Sequence, residues 1–145
     1  MTNITFIQGE DTNGNAHGIY PKITGTAGID DKVKAIKAKR DEEIKNILTG
    51  QDDRFLLIIG PCSADNEPAV LDYIHRLVKV QEQVKDKIFI IPRVYTSKPR
   101  TIGVGYKGML HQPDPEGKED MLGGIIAIRE MNARVVRETG FTCAE

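Results

Sequence analysis

Two apolar runs without alternation, "FLLII" at Phe55–Ile59 and the start of "IFIIPRV" from Ile88, limit the fold most tightly. A strand with one wet face alternates apolar and polar residues. A continuous run is expected where helices cover both faces, as in parallel sheets. Between the runs, Asn66 and Pro68 mark a helix start, with Pro68 early enough that its missing N–H costs nothing. Leu71, Ile74, Leu77, Val78 and Val84 give that helix an inner stripe. The order strand, helix, strand therefore predicts a parallel α/β unit with a right-handed crossover.

The flanking segments extend the alternation. Upstream, "IDDKVKAIKAKRDEEIKNILTG" predicts a helix capped by Asp30 or Asp31, striped by Val33, Ile36, Ile44, Ile47 and Leu48, and ended by Gly50. Its charge run reads as a solvated face with i,i+4 pairs. Residues 8–28, rich in Gly, Thr and Asn, read as an extended arm or loop. Downstream, a polar loop of about 25 residues follows the second strand, a length that is uncommon without a function. A helix from about Met121 to Thr139, stopped by Gly140, then leads into "FTCAE", the beginning of a third strand.

Composition narrows the function classes. The chain has 145 residues, 39% of them hydrophobic, enough for one domain with a real core. Twenty basic against 21 acidic residues leave a net charge of −1. No overall field then draws it to nucleic acid or an anionic membrane, so any basic site is local. No signal peptide or membrane span is expected. Two cysteines, Cys62 and Cys143, are too few for a disulfide framework, which points to reduced thiols in the cytoplasm.

In parallel α/β folds the residues after each strand gather on one rim. "GPCSAD" follows the first strand and "RVYTSKPRT" the second, so Cys62, Asp65, Arg93, Lys98 and Arg100 are expected to converge there. Guanidinium groups grip phosphate or carboxylate with paired donors, and a lysine adds a compact point charge. Arg93, Lys98, Arg100 and Thr101 thus form the strongest candidate constellation, with a solvated basic loop as the plain alternative. Cys62 is open to three readings: metal ligand, nucleophile, or small core residue. Cys143 reads as packing. "GVGYKG", Gly103–Gly108, fits a dinucleotide-binding pattern, but it neither follows a strand directly nor opens a helix. It reads instead as a ligand loop in which Lys107 reaches an anion. His75 reads as a surface residue, and His17 and His111 carry no assigned role.

"ILTGQDDRFL", "LLIIGPCSADNEPAV" and "RVYTSKPRTIGVGYKG" together resemble the N-terminal part of the type I 3-deoxy-D-arabino-heptulosonate 7-phosphate (DAHP) synthases, from about Ile36 to the last residue. The 3-deoxy-octulosonate 8-phosphate synthases, which share the barrel and a similar turn but are not expected to carry "KPRT", are the runner-up. The resemblance implies the N-terminal part of a (β/α)₈ TIM barrel preceded by an extension with one helix. Residues 1–50 would form the arm and helix, and 51–145 the first βα units of an incomplete barrel.

It also implies condensation of phosphoenolpyruvate with erythrose 4-phosphate, the first step of the shikimate route to aromatic amino acids. A divalent metal of the Mn, Fe, Co or Zn class would assist, and the full-length protein would be a homo-oligomer. By the motif match Cys62 looks like a metal-ligating thiolate and Arg93 like a phosphoenolpyruvate carboxylate partner. Lys98, the catalytic candidate, would stand between the substrates. Arg100 and Thr101 would grip the erythrose phosphate, and Lys107 the phosphoenolpyruvate phosphate.

A (β/α)₈ barrel takes about 250 residues. The chain is therefore expected to be an N-terminal fragment, aggregation-prone or partly molten, and inactive alone. A non-catalytic module that binds phosphorylated metabolites is the competing expectation. Glu145 stands just short of the register of the family's substrate-facing glutamate and is given no role.

Overall fold

The computed structural model describes residues 3–10, 16–24, 28–97 and 106–145. Seven elements follow one another: β1 (Asn3–Glu10), β2 (Ala16–Thr24), α1 (Asp31–Leu48), β3 (Phe55–Ile59), α2 (Glu67–Val84), β4 (Ile88–Pro92) and α3 (Met121–Thr139). The expected parallel unit is present. β3 pairs with β4 in parallel, from Phe55 opposite Ile88 to Ile59 opposite Pro92, with α2 as the crossover.

Each helix start is set by a short polar side chain that accepts an otherwise unpaired amide of the first turn. Asp30 Oδ1 accepts from Val33 N at 2.9 Å, Asn66 Oδ1 from Ala69 N at 2.9 Å, and Asp120 Oδ1 from Gly123 N at 2.9 Å. At the far end of α3, Gly140 takes φ 73°, a left-handed conformation that glycine adopts without strain. The helix then stops and the chain turns back to the sheet. There Ala144 N donates to Pro92 O at 2.9 Å and Val94 N to Ala144 O at 2.7 Å, a parallel bridge between Arg93 and Ala144. "FTCAE" therefore begins a third parallel partner beside β4, as expected, although it forms a single bridge.

The core lies where α2, α3 and β4 meet. Ile74, Met131, Val94 and Val135 are fully buried, and Leu71, Ile90 and Phe141 pack into the same cluster. β4 is covered as its continuous apolar sequence demands.

Three expectations are corrected. Residues 8–28 are not simply an arm or loop: β1 and β2 form an antiparallel hairpin, Asn3 opposite Thr24 and Ile7 opposite Tyr20, with an irregularity between Gln8 and Glu10. Gly9 and Gly18, part of the composition that suggested a loop, lie inside the strands, where Ile, Thr, Phe and Tyr favour extended pairing. β3 is not buried on both faces. Phe55 is 66% exposed and Ile58 53% exposed, because among the described residues β3 pairs only with β4. Finally, Leu48 departs from the α1 stripe: Val33 is buried and Ile36, Ile44 and Ile47 are half-buried, but Leu48 is exposed.

Candidate functional site

The turn after β3 and the strand end after β4 lie against each other. Arg93 N donates to Ile59 O at 2.8 Å, and Ala64 N donates to Tyr95 O at 2.8 Å. Between these bonds the backbones approach closely. A Cβ placed on Gly60 would stand 2.1 Å from Arg93 O, so only glycine fits there. The consequence is geometric: the turn that carries Cys62 is fixed against the strand end that carries Arg93, at the carboxyl ends of parallel strands.

Cys62 is exposed on this rim. Arg93 is half-buried, and its guanidinium carbon lies 4.2 Å from the centroid of the Tyr95 ring. Such stacking stabilises the cation and restricts its plane. Tyr95 was not singled out in the sequence, although residues two apart in extended chain share a face and could have suggested the pair.

Lys107 is described and exposed, but it is engaged: its Nζ donates to Glu119 Oε1. That ion pair holds the Glu119 carboxyl below its ordinary range. Lys98, Arg100 and Thr101 lie outside the described residues. Asp65 is exposed near the rim. Among the sequence-predicted residues, the structure thus brings the turns of Cys62 and Arg93 together.

Cys143 is the other thiol, and burial pushes its pKa up to about 12, against the opposing pull of nearby Arg40. Packing is the right description for it. Arg40 itself departs from the solvated-face reading of α1. Its guanidinium lies 4.2 Å from the Phe89 centroid and 5.0 Å from the Phe141 centroid. It donates to Ile90 O at 2.7 Å and to Thr142 Oγ1 at 3.2 Å. The residue is in helical phase with Val33, Ile36 and Ile44, which was the available signal.

A thiolate suits a soft or borderline metal. Yet among the described residues no group of three or more His, Cys, Asp or Glu stands together to hold an ion. One donor does not make a metal centre, so the described residues alone do not fit that cofactor. A cavity of about 250 Å³ lies elsewhere, between α1, α3 and the 142–145 segment, lined by Val33, Ile128, Asn132 and Val136 among others. None of Cys62, Arg93 or Lys107 lines it.

The parallel βαβ core, with the turns after its two strands held together at one rim, defines an α/β protein. The sequence model of the "DAHP synthetase I family" matches residues 30–131, and the chain belongs to that family. It is 40% identical over 106 residues to the Trp-sensitive phospho-2-dehydro-3-deoxyheptonate aldolase of Buchnera aphidicola subsp. Acyrthosiphon pisum, covering 73% of this chain and 29% of that protein. It is 35% identical over 127 residues to the tyrosine-inhibited enzyme of Candida albicans, covering 83% and 34%. The solved phospho-2-dehydro-3-deoxyheptonate aldolase of Francisella tularensis superposes with a TM-score of 0.73 at 30% identity, covering 79% of this chain and 33% of that one. The chain spans about a third of the length of these relatives.

Proposed function

We propose that the chain supplies the anion-binding rim of a DAHP synthase, which condenses phosphoenolpyruvate with erythrose 4-phosphate in aromatic amino acid biosynthesis. The observation that carries this reading is the approach of the Gly60–Cys62 turn to the Arg93 strand end. The mixed α/β architecture, with α1 ahead of β3, agrees with the first βα units of a (β/α)₈ barrel over residues 51–145, flanked by an arm and helix over 1–50. A cytoplasmic setting and a full-length homo-oligomer belong to the same reading.

The chemistry of the side chains assigns the roles. Arg93, its plane steadied by Tyr95, presents paired N–H donors to the phosphoenolpyruvate carboxylate. Lys98 stands between the substrates as the catalytic cation, and Arg100 with Thr101 takes the erythrose phosphate. Lys107 takes the phosphoenolpyruvate phosphate after exchanging it for Glu119. Such cations hold two anions that would otherwise repel and orient them for reaction. The family reading adds a divalent metal with Cys62 as one donor. Its remaining ligands are not among the described residues, and no step is routed through it.

Calorimetric titration with phosphoenolpyruvate tests the reading. The 145-residue chain is expected to bind it, and Arg93→Gln to weaken binding about tenfold, the loss of a charged hydrogen-bonded pair. With both substrates and Mn²⁺ the same chain is expected to show no turnover. Absence of binding, or equal binding by the variant, would sink the assignment of Arg93. Metal-independent binding that persists without turnover in a full-length relative carrying the same rim would favour a non-catalytic module.

A further inference from the structure

Thr96 is the one polar side chain among the described residues that is fully buried, at 2% exposure. Both of its donors end on a single acceptor. Thr96 N donates to Glu145 Oε1 at 3.0 Å, and Thr96 Oγ1 donates to the same oxygen at 2.5 Å. The two residues are 49 apart in sequence, so this contact is tertiary. It lies at the rim, one residue beyond the Arg93–Ala144 bridge on the third strand and three residues beyond Arg93 on the second.

We infer that Glu145 is a positioning residue: its carboxylate clamps Thr96 and so fixes the Arg93–Thr96 strand end, and with it the Arg93 guanidinium at the rim. The physical argument is one of alternatives. β4 ends at Pro92, and beyond it the backbone has, among the described residues, isolated bonds to neighbours: Arg93 N to Ile59 O, Val94 N to Ala144 O, and Ala64 N to Tyr95 O. A buried N–H and hydroxyl without acceptors would carry the full cost of desolvation. The strand end therefore keeps this path only while Glu145 accepts both. Tyr95, on which Arg93 stacks, is the residue next to the clamp. Charged acceptors make the stronger hydrogen bonds, but an amide oxygen of the same reach satisfies the same two donors. The clamp thus depends on an acceptor at this place, not on negative charge at the rim.

The inference deepens the proposed anion site and rests on it for one of its two readouts. The first readout needs no ligand: the Arg93 side-chain Nε–Hε resonance, with chain folding checked by thermal melting. In Glu145→Ala this resonance is expected to shift and broaden, in Glu145→Gln to stay close to the parent position, and in Thr96→Val to move in the direction of the alanine variant. The second readout is affinity for inorganic phosphate and for phosphoenolpyruvate. Glu145→Ala is expected to lose about tenfold, and Glu145→Gln to recover most of that. An unmoved Arg93 resonance in Glu145→Ala overturns the inference, as does a glutamine variant as impaired as alanine. Should the alanine variant not fold, Thr96→Val, isosteric and lacking only the hydroxyl, decides: an Arg93 resonance at the parent position overturns the clamp. If the parent chain binds neither phosphate probe, the anion-site reading falls while the resonance still judges the clamp.

Discussion

Individual residues divide sharply by exposure. Cys62 is exposed at the rim, whereas Cys143 is buried and its thiol is pushed up to about 12. Since the thiolate is the nucleophile, an alkylating reagent at pH 8 should modify Cys62 quickly and leave Cys143 intact until the chain is denatured. Mass spectrometry of the native reaction reads this directly, and early labelling of Cys143 would contradict the packing. Part of the site was legible at this scale because chemistry is written in side-chain type: "GPCS" and "RVY" announce a thiol and a cation after apolar runs. Thr96 and Glu145 were not legible, because they meet across 49 positions and no local pattern encodes such a pairing.

Among the elements, helices were the most readable, for a physical reason. Their caps are local, so Asp30, Asn66 and Gly140 acted where the sequence placed them. Strand pairing is not local, which explains why the β1–β2 hairpin was missed and why the apolar run of β3 overstated its burial. The junction of α1 with α3 is also tertiary. Arg137 Nε donates to Asp30 Oδ2 at 2.8 Å, and Arg137 Nη2 donates to Gly28 O at 2.6 Å. Arg137 foremost, then the Val33 amide, lowers the Asp30 carboxyl below its ordinary 3.8. A carboxylate depressed in the folded state adds stability that is present above its unfolded pKa and is lost as pH falls through the folded one. Asp30→Asn keeps an oxygen for the Val33 amide and removes only the ion pair. The variant should therefore melt slightly below the parent at pH 7, with the gap closing under strongly acidic conditions. The effect is modest because Asp30 is half exposed, and a gap that widens in acid would reverse the assignment.

For the molecule as a whole, the asymmetry of the small sheet matters most. β4 is covered, while β3 presents Phe55, Ile58 and Ile59 to solvent and pairs on only one side among the described residues. Open strand edges with apolar side chains template association between copies. Analytical ultracentrifugation of the 145-residue chain should show mass growing with concentration, and the double variant Phe55→Lys, Ile58→Lys should sediment as a monomer. A monomeric parent at every concentration would mean that this edge is protected. The loop between β4 and α3 carries a different consequence. Lys107 there already holds a carboxylate, that of Glu119, so on the proposed reading an arriving phosphate would swap places with a resident anion. What a titration measures at that lysine is the preference for one guest over another. Added salt weakens both guests, so this cation should be a poorer electrolyte sensor than a bare one.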